Sequence, residues 1–433
     1  MNIDKLFSRG KERGIEDMEI YMVENSSTKF KIYQGELENY NISKEEALSL
    51  RGIYEGRMGY SYTEKLTEDS IDELIDNLIQ YAQCNEKEYV EKLSPPKEID
   101  MKNKVSNLDK YGEDEKIAFL KSIEEKAYSA DERIKLVEGC NYEEYDNTVY
   151  IRNTKGLELK DNYSVGIISL SIVAKDDKDT QTGYSYRIIE DLLEEDKDIL
   201  VSTAVHDGIN MLGASSIPSG NYEIILRNNV AANLFSTMSP VFLGDMVQRN
   251  LSMMKGKVGE RVGSQLLNIV ENPLLDKGII YRHFDDEGTP TSIKYIIEKG
   301  VLKTFLHNNR TGEKEGIKST GNGFRTSHKS SIGVLPTNMY IEEGEYSLED
   351  MISSIDEGIL ITDIQGLHAG INATSGDFSL SSNGYLIKHG KIIKPVNQIT
   401  IAGNFYKILK DIKALGKDTR FSFPGSNYFG SPS

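Results

Sequence analysis

The chain has 433 residues, of which 38% are hydrophobic and 27% are charged, and its formal net charge is -17. This length predicts two or three domains with ample apolar content for their cores. The acidic balance excludes nucleic acid as a partner, because binding phosphates requires a basic surface.

The cysteine content and the absence of long apolar runs indicate the compartment. Cys84 and Cys140 are the only cysteines. Two thiols cannot form a metal-binding quartet, and they fit a reducing environment. The start of the chain lacks an apolar segment of signal-peptide length, and the longest apolar-rich run, residues 165–174, is too short to span a bilayer. We therefore expect a cytoplasmic protein that does not contact a membrane.

Short strands and amphipathic helices are predicted along the N-terminal half. Apolar periodicity predicts helices over residues 3–13, 69–82, 114–127 and 196–212. Clustered or alternating apolar residues predict strands over residues 18–23, 29–33, 48–54, 57–62, 133–138, 147–151, 157–160 and 165–174. The charged stretch 86–111, which contains Pro95 and Pro96, is interpreted as a connector.

A repeated tetrapeptide suggests an internal duplication. The sequence GYSY occurs at residues 59–62 and again at residues 183–186, each time shortly before a predicted helix. Two copies of a strand, strand, GYSY, helix unit are typical of a duplicated segment. A chance match of four residues is the alternative.

Gly, Ser, Pro and Asn, which are frequent in turns, make up most of residues 213–221, and we take this segment as the domain boundary. Beyond it we expect a helix over residues 229–238, capped by the side chain of Asn228 or Asn229. Strands are predicted over residues 222–226, 279–284, 292–298, 301–307 and 330–335, followed by a hairpin that turns at Gly390. A last helix is predicted over residues 405–415.

These elements predict an α+β protein. The N-terminal mixed domain would cover residues 1–212, with sub-units at about 1–85 and 112–212. The C-terminal domain, residues 213–433, would be mostly antiparallel β with a few helices.

Two groups of polar residues are candidates for binding. The loop at residues 367–377 carries four of them: His368, Asn372, Thr374 and Asp377. Loops on a rigid sheet often carry function, although composition alone is also consistent with a structural loop.

The second group is His283 and Asp285, which would share one face of a strand and could converge on a metal or a proton. The alternative is a tight turn with solvated charges. His206 is assigned to a helix as a half-buried or surface residue, and His328 to an exposed loop. No two of the six histidines have the spacing of a helical zinc site.

Several motifs in the C-terminal half keep a characteristic order. They are ENP at 271–273, FDDEG at 284–288, GVL at 300–302, KSTGN at 318–322, GLHAGIN at 366–372, TSGDFS at 374–379 and ITIAGN at 399–404. In order and spacing this half resembles the TldD/PmbA family, once described as modulators of DNA gyrase. The resemblance implies a heterodimeric peptidase of two branches that acts on unfolded peptides.

The resemblance also indicates the branch. In the TldD branch a helix carries an HExxxH motif, and a late cysteine completes the zinc site. The corresponding helix here, residues 229–238, has neither His nor Glu, and both cysteines precede residue 141. This pattern matches the TldE/PmbA branch, for which we expect no catalytic residue, no metal and no cofactor in this chain. Zinc would belong to the partner.

The sequence thus predicts a subunit that pairs with a TldD-like zinc peptidase and is active only with that partner. In isolation we expect a homodimer. The candidates for contacting peptide or partner are His368, Asn372, Thr374, Asp377, His283 and Asp285.

Two alternatives remain. One is a stand-alone metal-dependent hydrolase built from His283, Asp285, His368 and Asp377, and the other is a peptide-binding module without an enzymatic role. Residues 429–433 are expected to lead into a last strand that other family members possess.

Overall fold

The N-terminal half forms one six-stranded antiparallel sheet. The computed structural model describes residues 1–85, 92–102, 104, 106–276, 278–422 and 428–433. The strands are β1 (Ile15–Tyr33), β2 (Glu36–Tyr54), β3 (Arg57–Thr63), β4 (Ile134–Asn153), β5 (Glu158–Lys175) and β6 (Thr180–Ile189). They follow the order β3-β2-β1-β4-β5-β6.

Four helices cover one face of this sheet. They are α1 (Ile3–Glu12), α2 (Ser70–Cys84), α3 (Glu113–Ala130) and α4 (Glu194–Asn210). Leu74 of α2 packs with Ile20 of β1, and Leu200 of α4 packs with Leu170 of β5. Because successive strand residues point to opposite faces, the neighbour of Ile20, Tyr21, lies on the other face with Phe284 of the C-terminal half.

The sheet consists of two similar halves. The order helix, three strands, helix occurs twice, and the copies join where β1 pairs with β4. A Cβ on Gly59 would lie 2.3 Å from the carbonyl oxygen of Leu78, and one on Gly183 would lie 1.9 Å from that of Ala204. Both tetrapeptides therefore begin with a glycine that lets a helix cross a strand closely, which agrees with the predicted duplication.

Several predicted strands are longer in the structure. Residues 18–23 and 29–33 belong to the single strand β1, and the pairs predicted around residues 133–151 and 157–174 merge into β4 and β5. Pairing continues through polar positions such as Asn25 opposite Asn147, because ladder hydrogen bonds do not require apolar side chains. Residues 86–91, 103 and 105 of the connector lie outside the described residues, and Leu108–Lys110 forms a 3-10 turn.

The C-terminal half contains strands of 2 to 14 residues in three further sheets. The strands are β7 (Glu223–Leu226), β8 (Ile269–Glu271), β9 (Lys294–Glu298), β10 (Val301–Leu302), β11 (Gly323–Phe324), β12 (Gly333–Val334), β13 (Met339–Ile341), β14 (Glu357–Gln365), β15 (Asp377–Lys388), β16 (Lys391–Asn404), β17 (Arg420–Phe421) and β18 (Phe429–Ser431). The sheet orders are β10-β9-β8-β13-β18-β17, β16-β15-β14-β7 and β11-β12. The helices are α5 (Asn228–Met238), α6 (Gly244–Gln248), α7 (Asn309–Glu315), α8 (Leu348–Ser354), α9 (Leu367–Gly370) and α10 (Phe405–Asp411). The predicted α+β class is confirmed.

Helix α5 lies at the centre of this half. Its Leu234 packs with Ile361 of β14, while its Phe235 packs with Phe405 and Phe429. The capping position is Arg227, without a side-chain cap, and not the predicted Asn228 or Asn229. Asn228 and Asn229 are the first helical residues, and Oδ1 of Asn228 accepts the backbone N–H of Asn229 at 2.7 Å, as the prediction required of a side-chain oxygen. Their side chains also bond Asp418 and Arg227.

Three strand predictions in this half need correction. Residues 279–284 do not form a strand, because the side chain of Asn338 accepts the backbone N–H groups of Ile279 and Ile280 where a neighbouring strand would. The strands predicted over 301–307 and 330–335 shorten to two residues each, β10 and β12.

Two predictions concern the last strand and the last hairpin of the described chain. Residues 429–431, which were predicted to lead into a last strand, themselves form β18, which lies between β13 and β17. The turn at Gly390 is confirmed, with φ of 72°. Within the described residues, no helix combines the length and apolarity needed to cross a membrane.

Candidate functional site

A cavity of about 340 Å³ lies between the N-terminal sheet and the C-terminal half, and we call it the sheet-face cavity. Strands β1, β4 and β5 form one wall through Tyr21, Val23, Asn25, Asn147, Val149 and Tyr163. The opposite wall comes from Ile280, Arg282, Asp286, Phe324, Arg325, Thr326, Ser327, His328, Leu335, Pro336 and Thr337, with Glu45 of β2 completing it. Ligand sites often lie between packed units in this way.

The turn at residues 285–288 positions the first charged pair. The N–H of Gly288 donates to the carbonyl of Asp285 at 2.9 Å, and Gly288 has φ of 68°. The side chain of Asp285 accepts three backbone N–H groups, from Glu287, Thr289 and Gly323, at 2.8–3.0 Å. Burial raises the pKa of Asp285 to about 6, although these hydrogen bonds act in the opposite direction. Asp285 thus holds the turn and does not face the cavity.

Arg282 and Asp286 form a buried ion pair on the cavity wall. Nη2 of Arg282 donates to Oδ1 of Asp286 at 2.8 Å. The guanidinium lies over the rings of Phe284 and Phe324, with its centre 5.6 and 5.3 Å from theirs. Burial alone would lower the pKa of Arg282, but the Asp286 carboxylate outweighs it and holds this pKa above its usual value. The Arg282 guanidinium therefore stays charged at neutral pH.

His283 is fully engaged by other parts of the chain. Its Nδ1 lies 3.1 Å from Oδ1 of Asp161, and its Nε2 accepts the backbone N–H of Lys102 at 2.8 Å. Because Nε2 is the acceptor, the ring proton is on Nδ1. His283 and Asp285 therefore do not converge. The alternative prediction of a tight turn is correct, but its charges are not solvated, because the side chains of residues 285–287 are buried.

Arg325, at the end of β11, lines the cavity beside this pair. Its backbone N–H donates to Oδ2 of Asp286 at 2.8 Å, and its Nη1 donates to the carbonyl of Ser330 at 2.7 Å. The guanidinium centre lies 5.1 Å from the ring of Tyr21 and 5.9 Å from that of Tyr60. Its Nε and Nη2 are buried and have no hydrogen-bond acceptor among the described residues.

Two phenols on the sheet side remain neutral. Burial raises the pKa of Tyr163 to about 12, and burial and the Asp286 carboxylate raise that of Tyr21 as well. Both hydroxyl groups keep their protons at neutral pH and can donate them in hydrogen bonds.

His328 was predicted in an exposed loop, and that prediction is wrong. Its ring is buried between two carboxylates, with Nδ1 2.8 Å from Glu45 and Nε2 3.2 Å from Glu64. The hydroxyl of Ser49 donates to its carbonyl oxygen. These partners come from β2 and the residues after β3, so the sequence around His328 could not indicate its burial. His206 is exposed on α4, as predicted.

A buried ion network links the N-terminal sheet to the turn at residues 285–288. Nε of Arg51 donates to Glu19 at 2.7 Å, and Nη1 of Arg51 lies 3.8 Å from Glu287. Glu19 also accepts a bond from Asn153, and Glu287 accepts the N–H of Asn309. The N-terminal sheet and the C-terminal half thus share charges that are removed from water.

Three family profiles match the chain in succession. They are described as PmbA/TldA metallopeptidase domain 1, central domain and C-terminal domain, and they match residues 18–82, 106–212 and 219–433. A solved structure from Thermotoga maritima, described as a modulator of a DNA gyrase, has 31% identity and a TM-score of 0.89, covering 99% of this chain and 96% of that one. The chain belongs to the PmbA/TldD metallopeptidase family.

Other members of the family are similarly close. TldE from Thermococcus kodakarensis has 25% identity and a TM-score of 0.89, over 99% of this chain and 97% of that one. The metalloprotease PmbA of Escherichia coli O157:H7 is 25% identical over 396 residues, which cover 89% of this chain and 84% of that protein. The resemblance read from the C-terminal motifs is thereby confirmed.

The loop that carries four of the candidate residues lies apart from the cavity lining. His368, Asn372, Thr374 and Asp377 are all exposed. Oδ1 of Asn372 accepts the N–H groups of Thr374 and Ser375 at 3.1 Å, and Asp377 accepts bonds from Ser375 and Asn404 at 2.8 Å. These contacts hold the loop in shape, and they leave the imidazole of His368 at the surface.

The described residues of this PmbA/TldD family member do not fit a zinc ion. They contain no group of three or more His, Cys, Asp and Glu side chains that could hold a metal. Helix α5 presents Asn, Ala, Leu, Phe, Ser, Thr, Val and Met side chains, none of which is a usual zinc ligand.

Sequence reasoning missed the cationic residues of the cavity. Arg282 lies two residues before the FDDEG motif, and Arg325 lies three residues after the KSTGN motif. The available signal was an arginine at each of two motifs that the family resemblance already marked. Tyr21 and Tyr163 carried no such signal, because tyrosines are common in strands.

Proposed function

We propose that this chain is the non-catalytic subunit of a two-chain metallopeptidase that processes unfolded peptides, with a TldD-like zinc peptidase as its partner. The observation that carries the proposal is the composition and burial of α5. Its position in the family fold is where the resemblance implies zinc ligands, yet it contains neither His nor Glu.

The side chains of α5 are part of the hydrophobic core. Val230, Leu234, Phe235 and Met238 are each at most 3% exposed and join two apolar clusters. Without three ligands a zinc ion cannot be held, and the water that it would activate has no site here. A peptidase activity of the assembly therefore requires a second chain.

The contacts of His283 argue against a stand-alone hydrolase. Both ring nitrogens of His283 are engaged by Asp161 and by the N–H of Lys102, so neither is free for a metal. Asp285 uses its oxygens on backbone N–H groups. The loop with His368 and Asp377 is held by its own hydrogen bonds.

Co-purification with a TldD-like protein from the same cell tests the proposal. The two chains should elute together, and the mixture should cleave an unfolded peptide that this chain alone leaves intact. Size-exclusion chromatography with light scattering should show a homodimer for the isolated chain. Stoichiometric zinc together with peptide cleavage by the isolated chain would refute the proposal, and so would an inability of the partner to associate with it.

A further inference from the structure

One edge of the Arg325 guanidinium has no acceptor. Nη1 donates to the carbonyl of Ser330, whereas Nε and Nη2 are buried and have no hydrogen-bond partner among the described residues. Buried donors without acceptors are costly, typically about 1–3 kcal/mol each and more for charged groups. Arg325 lines the sheet-face cavity, but these two nitrogens are covered in this structure, so a ligand reaches them when the side chain turns toward the cavity.

The unpaired edge has the geometry of a carboxylate receptor. Nε and Nη2 lie on the same side of the planar guanidinium, and two parallel N–H groups match the two oxygens of a carboxylate. The nearby carboxylates already have partners. Asp286 accepts from Nη2 of Arg282 and from the backbone N–H of Arg325, and Glu45 contacts His328. Arg325 is thus the cation of the cavity wall that no carboxylate of the described residues neutralises.

The surroundings would keep such a carboxylate in place. The Arg325 guanidinium lies over the ring of Tyr21, which lines the cavity together with Tyr163. Arg282 is 7% exposed and is paired with Asp286, so Arg325 supplies the positive charge that remains for an anion.

The size and the other lining residues limit the ligand. A volume of about 340 Å³ is at the small end of ligand pockets, which span about 300–1,000 Å³. Val23, Val149 and Leu335 supply apolar surface beside the charged groups. Asp286 and Glu45 disfavour a dianion such as phosphate, because two more negative charges would meet them in the same cavity.

We propose that the sheet-face cavity binds a small ligand through its free carboxylate, which accepts paired hydrogen bonds from Nε and Nη2 of Arg325. The carboxylate could be the C-terminus of a short peptide or that of a small organic acid, since both offer the same group. The choice of peptide as one source rests on the proposed function, whereas the carboxylate site itself does not.

Isothermal titration calorimetry on the isolated full-length chain tests the proposal. The probes are acetyl-Ala-Val with a free C-terminus, the same dipeptide as its C-terminal amide, butyrate and inorganic phosphate. We expect the acid form of the peptide or butyrate to bind and the amide to bind at least tenfold more weakly. Binding of the peptide acid alone would assign a peptide terminus, and binding of butyrate alone a free organic acid.

Variants of Arg325 locate the bound carboxylate. Arg325→Gln should weaken binding about ten- to hundredfold, as expected for losing charge-assisted hydrogen bonds. Arg325→Lys should recover only part of the affinity, because it keeps the charge but not the paired donors. Arg310→Gln is the matched control, since Arg310 is exposed on α7 and does not line the cavity. It should bind like the natural chain.

The proposal fails if neither acid binds, if the amide or phosphate binds as tightly as the acids, or if Arg325→Gln and Arg310→Gln behave alike. The comparison of acid with amide uses the unchanged chain, so it holds even if a variant folds poorly. These results are separable from the proposed function. Carboxylate binding without co-purification of a peptidase would refute only the latter, and peptide cleavage by the mixture without carboxylate binding would refute only the former.

Discussion

Replacing Arg51 should destabilise the protein strongly, because it would leave two carboxylates buried without their cation. The side chains of Arg51, Glu19 and Glu287 are 1%, 0% and 2% exposed, and the guanidinium lies 2.7 Å from Glu19 and 3.8 Å from Glu287. Breaking a buried pair by removing one partner typically costs about 3–5 kcal/mol. We expect Arg51→Met to lower the free energy of unfolding by about this amount at pH 7.

Equilibrium unfolding in urea measures the effect, followed by far-UV circular dichroism and by tyrosine fluorescence, since the chain has no tryptophan. Arg9→Met is the control, because Arg9 and Asp72 form a pair whose side chains are 49% and 55% exposed. Such a pair contributes about 1 kcal/mol or less. Adding Glu19→Gln to Arg51→Met should restore part of the loss by removing one unpaired charge. Equal losses for Arg51→Met and Arg9→Met would refute this reasoning.

Two further predictions concern close packing and proton binding. Gly183→Ala should destabilise the protein by about 1–3 kcal/mol, because its Cβ would lie 1.9 Å from the carbonyl oxygen of Ala204. The control is Gly333→Ala, whose Cβ would have its nearest contact at 3.8 Å. This control should change the free energy of unfolding little in the same unfolding experiment. The pKa of Asp285 is raised to about 6, above the roughly 3.9 of an aspartate in an unfolded chain. The folded state therefore binds this proton more tightly than the unfolded state does. As a result, the contribution of Asp285 to stability declines as the pH rises from about 4 to 6. The measurement is carbon-13 NMR of aspartate-labelled protein, in which the carboxyl signal of Asp285 is the one that disappears in Asp285→Asn. This signal should titrate with a midpoint near 6. A midpoint near 4 would contradict burial as the dominant cause of the raised pKa.

Local patterns predicted the helices well and the strands less well. Helix α2 was expected at residues 69–82 and is found at Ser70–Cys84, because its apolar stripe is a property of the helix alone. The long strand β1 was divided into two, because its middle residues are polar and their pairing with β2 and β4 depends on distant segments. The apolar residues 279–284 suggested a strand, yet the side chain of Asn338 takes the hydrogen bonds that a neighbouring strand would have made.

The candidate site, like the fold, could be predicted only in part from local sequence patterns. The polar loop at residues 367–377 was visible in the sequence, and the structure shows how its own hydrogen bonds shape it. The cavity was not visible, because its walls come from β1, β4 and β5 on one side and from residues 280–337 on the other. Arg325 meets Tyr21 only after the chain has folded, across about 300 positions of sequence.

The sequence by itself determined the family and the absence of zinc ligands from α5, because both depend on which residues occur at a given spacing. It also determined the amphipathic helices, since their apolar faces repeat with the helical period. Only the tertiary structure decided which charges are buried, how Arg51 and Arg282 are paired, and that one edge of Arg325 remains unpaired. Burial and pairing depend on segments that are distant in the chain, so no local pattern records them.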